Sequence, residues 1–218
     1  LPRVPIICGG PEVSFESVRF LQENPWADGV LSGEGEEAFF QLLRAVRGEQ
    51  AYGEVPSLIW RRNGEIVENP LAEPLDLQEI PFPYGQGEDL SNRIVYYESS
   101  RGCPFRCRYC LSSLAGNVRL LPLERVYQDL DFFLKRQVRQ VKFVDRTFNC
   151  NRKHAMGIWR YLIEHDNGVT NFHFELAAHL LGPQELELLR TAREGLFQFE
   201  IGVQSTNAST IQAIDRTT

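Results

Sequence analysis

Residues 101–110 read Arg-Gly-Cys-Pro-Phe-Arg-Cys-Arg-Tyr-Cys and place the thiols of Cys103, Cys107 and Cys110 at i, i+4 and i+7. Three thiolates at that spacing can hold three irons of a [4Fe–4S] cubane and leave the fourth iron without a protein ligand. An open coordination position is what separates catalytic metal centres from sealed ones. Arg101, Arg106 and Arg108 surround the thiols, and their charge favours deprotonation and offsets a negative cluster. The competing readings are zinc, with Cys150 or His154 as a distant fourth ligand, and inert thiols. C-x3-C-x2-C is an unusual spacing for a zinc knuckle, and no further Cys or His lies close by in the sequence. The chain has 5 cysteines, an odd number with three clustered, which does not look like a disulfide framework. With no secretory signal or apolar run of bilayer length, a reducing cytoplasm is predicted, where such thiols serve metal or redox chemistry.

The elements that must position these thiols follow a βα rhythm. Residues 94–99, 141–145, 172–178 and 197–203 read as strands. Between them, helices are predicted from Pro122 (stripe Val126, Leu130, Phe133, Leu134), from about Asn151 (Ala155, Ile158, Trp159, Leu162, Ile163), from Pro183 (Leu186, Leu189) and near Asn207. The strand phases are two-faced. Phe199, Ile201 and Val203 oppose Gln198, Glu200, Gly202 and Gln204, and Phe172, Phe174 and Leu176 oppose His173 and Glu175. A sheet with helices on one face and a polar cavity on the other would show this pattern; Asp145 fits it less well, sharing a face with Val141 and Phe143. Asp145 is nonetheless expected to point at the site, because it ends a strand where α/β folds bind ligands.

Upstream, residues 4–8 and 29–31 read as strands, and helices are predicted over 14–23 and from Glu36 to Gly48 with Phe39, Leu42, Leu43 and Val46 on one stripe. Residues 51–92 read as a linker: 57–60 and 65–68 flank the hairpin signal Asn63-Gly64, and Pro70, Pro74, Pro81 and Pro83 interrupt regular structure. The abrupt start and close predict a piece of a longer protein. A net charge of −6 argues against a surface built to grip phosphate backbones, so nucleic acid is not an expected partner.

The cysteine motif after a first barrel strand, with Tyr109 just before the last thiol, resembles the radical S-adenosylmethionine superfamily. The resemblance implies S-adenosylmethionine chelating the open iron, reductive cleavage to a 5′-deoxyadenosyl radical, and an electron donor of flavodoxin or ferredoxin type; the substrate, small or macromolecular, is left open. The likeness is strongest to the branch with oxygen-independent coproporphyrinogen oxidase and the methylthiotransferases, and the Gly202-Val203-Gln204-Ser205 run is a tag of that branch. It implies ligand contacts at Tyr97, Tyr109, Glu175 and Gln204, and a carboxylate-binding role for Arg216. Asp145-Arg146-Thr147 stands where many members carry a glycine-rich motif for the methionine amino group, so the contact there would come from other atoms. Gly9-Gly10 after the first strand and Gly33-Glu34 before a helix resemble the C-terminal half of a cobalamin-binding Rossmann-like domain, where glycine lets backbone approach a bulky cofactor.

The expected architecture is α/β: the end of a Rossmann-like cobalamin-binding domain in residues 1–50, a linker with a hairpin in 51–92, and the first part of a partial (β/α)6 barrel in 93–218. The expected function is radical chemistry on S-adenosylmethionine, with cobalamin-dependent methyl transfer or rearrangement as the outcome. The alternatives are a methylthiotransferase, whose class carries a second three-cysteine domain although residues 1–92 hold only Cys8, and a non-catalytic zinc-stabilised interaction module.

Overall fold

A computed structural model describes residues 4–114 and 116–216, and the chain divides into two units, Leu1–Asp76 and Leu77–Thr218. In the first, β1 (Ile7–Gly9) runs parallel to β2 (Gly29–Leu31), joined by the short helices α1 (Pro11–Ser14) and α2 (Ser17–Glu23). Helix α3 (Gly35–Val46) follows. The predicted hairpin forms as β3 (Leu58–Arg62) and β4 (Glu65–Glu68), with Asn63 and Gly64 at φ 52° and 90°, the left-handed pair a two-residue turn needs. It does not sit in a linker. Strand β3 pairs antiparallel with β2, so the hairpin supplies two of the four strands of this sheet. Its apolar Leu58 and Ile59 explain why: both are buried against the core of the unit.

Helix α3 turns a different stripe inward from the one predicted. Ala38, Leu42 and Ala45 are buried, whereas Phe39, Leu43 and Val46 are about half exposed. Small alanine side chains let the helix lie close to the sheet, and a hydrophobicity count ranks phenylalanine above them.

The second unit is built on a parallel sheet of β5 (Ile94–Tyr97), β8 (Gln140–Phe143), β9 (Asn171–Leu176) and β10 (Phe197–Ile201), adjacent in the order of the chain. Helices α4 (Leu123–Lys135), α5 (Arg152–Glu164) and α6 (Pro183–Leu189) make the crossovers, and α7 (Ala208–Ala213) follows β10. Asn151 caps α5 by accepting from the His154 N–H at 3.0 Å, and Glu185 reaches back to the Gly182 N–H before α6. The register aligns Val141 with Phe172 and Phe197, and Phe174 with Phe199, on one face. That face packs on Phe133, Phe148, Ile158, Trp159 and Leu162, all fully buried. Phe174 is the centre, with the rings of Phe143 and Phe148 at 4.5 and 4.3 Å. The α4 and α5 stripes are as predicted, but Leu186 of α6 faces outward while Leu188 and Leu189 meet the core.

The segment predicted as one strand over 94–99 breaks after Tyr97. Ser100–Arg101 (β6) pairs antiparallel with Arg119–Leu120 (β7), clamping the ends of the cysteine-bearing loop. At the clamp, Gly102 has φ +105°, and a Cβ there would lie 2.8 Å from the Asn117 carbonyl oxygen. No other residue fits both demands. Gly102→Ala is expected to destabilise the protein by about 2 kcal/mol or more, read from its urea midpoint; an unchanged midpoint would refute this account of the clamp.

Candidate active site

A cavity of about 250 Å³ opens at the C-terminal ends of the parallel strands, where open α/β sheets bind ligands. The loop after β6 contributes Cys103, Cys107, Tyr109 and Cys110, and the turn after β8 contributes Arg146 and Thr147. Glu175 comes from β9, and Glu200, Gly202, Gln204 and Arg216 from β10 and the segment beyond it. Residues more than a hundred positions apart thus share one wall.

The three thiols fit an iron–sulfur cluster as a donor set. Cys107 is 7% exposed and Cys103 and Cys110 are half-buried. The Cys110 N–H donates to the Cys107 carbonyl at 3.0 Å, and the Ser113 hydroxyl to the Cys110 carbonyl at 2.7 Å, which stiffens the loop. Cys103 Sγ lies 3.5 Å from the Thr147 hydroxyl. A tetrahedral zinc site would need sulfurs about 3.8 Å apart; among the described residues no three His, Cys, Asp or Glu side chains converge on an ion-sized point. His154, a zinc candidate from sequence, is instead buried beside Ser99, 3.2 Å from its hydroxyl. Cys150 lines a separate cavity of about 540 Å³ behind Cys103, and burial pushes its thiol pKa up. Of the flanking arginines, Arg101 is held bidentately by Glu98, while Arg106 and Arg108 are exposed.

Two residues expected at the ligand are elsewhere. Tyr97 is 5% exposed in the core between Phe133 and Phe143, and its hydroxyl donates to Asp129 at 3.0 Å. Burial and the neighbouring Asp129 carboxylate push its pKa up. The strand phase decides this: Tyr97 shares a face with Val95, and Tyr96 takes the other. Asp145 is fully buried and turned from the cavity, as its phase with Val141 and Phe143 indicated. It accepts from the Ser99 N–H at 3.0 Å, the Ser99 hydroxyl at 2.7 Å and the Ser100 hydroxyl. Asp145 therefore fixes the corner from which the cysteine loop departs and does not touch a ligand in the cavity.

The motif reading passed over Glu200, Phe105, Ser112 and His179, which line the same cavity. Glu200 was visible in the phase of β10, on the same face as Gly202 and Gln204. It anchors a polar ladder across the sheet: Lys142 Nζ lies 3.3 Å from Glu200 and 3.6 Å from Glu175, and His173 Nε2 lies 3.3 Å from Glu200.

In the first unit, Gly9 closes β1 and Gly10 follows it, and Gly33-Glu34 come shortly after the end of the adjacent parallel strand β2. Gly10 and Gly33 have φ +97° and +80° with open space where a Cβ would stand, a backbone surface that a bulky planar group can approach. The Glu34 carboxylate accepts from the Leu75 N–H at 3.3 Å, which gives it a role within the unit.

The sequence profile of the Radical SAM superfamily matches residues 97–218, and the chain belongs to that superfamily. It is 33% identical over 168 residues to the uncharacterized methyltransferase PH0819 of Pyrococcus horikoshii, covering 70% of this chain and 36% of that protein. It is 25% identical over 244 residues to the cobalamin-dependent radical SAM methyltransferase TokK of Streptomyces tokunonensis, covering 99% and 34%. The chain spans about a third of the length of these curated relatives. The fold matches the cobalamin-dependent S-adenosylmethionine radical enzyme OxsB at TM-score 0.76 and 20% identity, over 98% of this chain and 33% of that one. It matches the radical S-adenosylmethionine methyltransferase TsrM of Kitasatospora setae at TM-score 0.75 and 16% identity, over 98% and 44%. The α/β architecture with the beginning of a radical SAM barrel is thus shown. Among the described residues no helix is long and apolar enough to cross a membrane.

The corner beneath the cysteine loop makes a pH prediction. Burial raises the Asp145 pKa to about 6 from 3.8 and lowers that of His154 to about 4 from 6.5. Ser99 spends its one hydroxyl proton on Asp145, so neutral His154 donates from Nε2 to Ser99. The stabilising contribution of Asp145 is present below pH 4 and lost as pH rises through 6. That of His154 is present above 6.5 and lost as pH falls through 4. Each is worth about 3 kcal/mol, and they oppose. Asp145→Asn should make stability rise from pH 4 to 6.5, and His154→Gln should make it fall from pH 4 to 6, in urea titrations of cluster-free protein. Parallel profiles for the two variants would contradict this pairing.

Proposed function

We propose that this chain is the catalytic heart of a radical S-adenosylmethionine enzyme that carries out cobalamin-dependent methyl transfer, or a related rearrangement, on an organic substrate. One observation carries the reading. Three cysteine thiols share a single cavity with two arginines, a glutamine and two glutamates at the C-terminal edge of a parallel sheet. When bound, the cluster and S-adenosylmethionine supply one-electron cleavage of the sulfonium to a radical that takes hydrogen from carbon.

The residues of this chain do the holding. Cys103, Cys107 and Cys110 bind three irons as thiolates. Arg216 and Gln204, folded over Gly202, face the amino-acid part of the ligand with a guanidinium and an amide. Glu175 offers a carboxylate to hydroxyl or ammonium donors, with Arg146 and Thr147 across the cavity and Tyr109 on its rim. The aromatic layer around Phe174 makes the sheet a rigid floor, so these groups keep their spacing. Gly10 and Gly33 leave backbone open for cobalamin. The reading calls for a flavodoxin- or ferredoxin-type electron donor and a reducing cytoplasm. The methyltransferase names of PH0819 and TokK support methyl transfer as the outcome.

The full-length protein, reconstituted anaerobically with iron and sulfide and given dithionite and S-adenosylmethionine, should form 5′-deoxyadenosine detectable by mass spectrometry. Cys103→Ala should abolish it. Cobalamin retained through gel filtration would support the first-unit assignment. A colourless protein that holds zinc and forms no product would overturn the reading.

A further inference from the structure

The sequence motif that ends in Cys110 carries a side chain whose hydroxyl has its own partner. Arg216, beyond α7, donates from Nη1 to the Tyr109 Oη at 2.7 Å and from Nη2 to the Gly202 carbonyl at 2.5 Å. A second tie joins the same two segments: the Arg108 N–H donates to the Ile214 carbonyl at 3.0 Å. The stretch 108–109, between two cluster cysteines, is therefore fastened at two points to the stretch 214–216.

The geometry around Arg216 is tightly specified. A Cβ on Gly202 would fall 2.6 Å from Gln204 Nε2, so even a methyl there would displace the glutamine amide from beside Arg216. Gln204 adopts φ +65°, uncommon for a residue with a Cβ, and this turn lays its amide over Gly202 beside the guanidinium. The Arg216 Nε is buried with no hydrogen-bond partner. Two of the guanidinium's five N–H groups are given to Tyr109 and Gly202, and Arg216 lines the cavity, so a carboxylate there would meet the remaining Nη donors. Tyr109 is half exposed and packs little, so its hydroxyl is the part of it that the structure uses here.

We propose that Tyr109 is a positioning residue whose hydroxyl holds Arg216 in register for the carboxylate of S-adenosylmethionine. The loop that presents Cys107 and Cys110 and the side chain that reads the ligand's carboxylate then form one mechanical unit. Coupling of this kind is reciprocal: a ligand that seats Arg216 also orders the cysteine loop, and an ordered loop presents Arg216 for binding. The inference rests on the proposed function, since it takes S-adenosylmethionine as the ligand.

The test uses full-length protein reconstituted with iron and sulfide and kept oxidised, so that binding is read without turnover. Equilibrium dialysis gives Kd for S-adenosylmethionine and for decarboxylated S-adenosylmethionine, with iron content as the control for an intact cluster. Tyr109→Phe should keep its iron, bind S-adenosylmethionine about five- to tenfold more weakly, the range of one ordinary hydrogen bond, and bind the decarboxylated compound as wild type does. In an Arg216→Ala background, Tyr109→Phe should add nothing further. Equal losses for both compounds, an unchanged Kd, or losses that add in the double variant would overturn the assignment. A wild-type protein that takes up the cluster and binds neither compound would overturn the functional reading itself, and this inference with it.

Discussion

The Asp145 carboxylate holds the corner on which the site is built. It lies under the turn where β5 ends and the clamped loop begins, and three hydrogen-bond donors from Ser99 and Ser100 converge on it. A fully buried carboxylate is tolerable only when its oxygens are satisfied, and here the satisfaction joins the first strand of the sheet to the second. From that joint the chain passes through β6 and Gly102 into the cysteine loop, so the placing of three thiols depends on a group that touches none of them.

The sheet divides its labour by face. One side is a layer of phenylalanines and Trp159 that leaves little freedom for strand register. The other carries charge in a mutually neutralising arrangement, with Lys142 between Glu175 and Glu200. Because both faces alternate along the same strands, a one-residue slip would exchange phenylalanine for glutamate across the sheet. The apolar side therefore sets where the polar groups stand.

Much of this was legible in the sequence. The cysteine spacing, the βα rhythm and the opposed faces of 172–178 and 197–203 mark the end of the sheet at which the cavity lies. Glu175, Gln204 and Arg216, named from a resemblance, line one cavity. What stayed hidden has physical causes. Tyr97 and Asp145 were assigned by position in a motif, whereas alternation along their strands puts both on the helix side. The hairpin at 58–68 looked like a linker because prolines follow it, and pairing with a strand 27 or more residues earlier leaves no local mark. In α3 the alanines won the interior from the phenylalanines because closeness of approach matters there as much as apolar area.

Strand β10 has one further consequence. Among the described residues β9 is its one strand neighbour, and Phe199, Ile201 and Val203 are between a third and two thirds exposed. The rings of Phe197 and Phe199 pack on Phe174 at 5.8 and 6.2 Å and hold this strand in step with β9, so the places of Glu200 and Gln204 at the cavity are set by aromatic contacts on the opposite face.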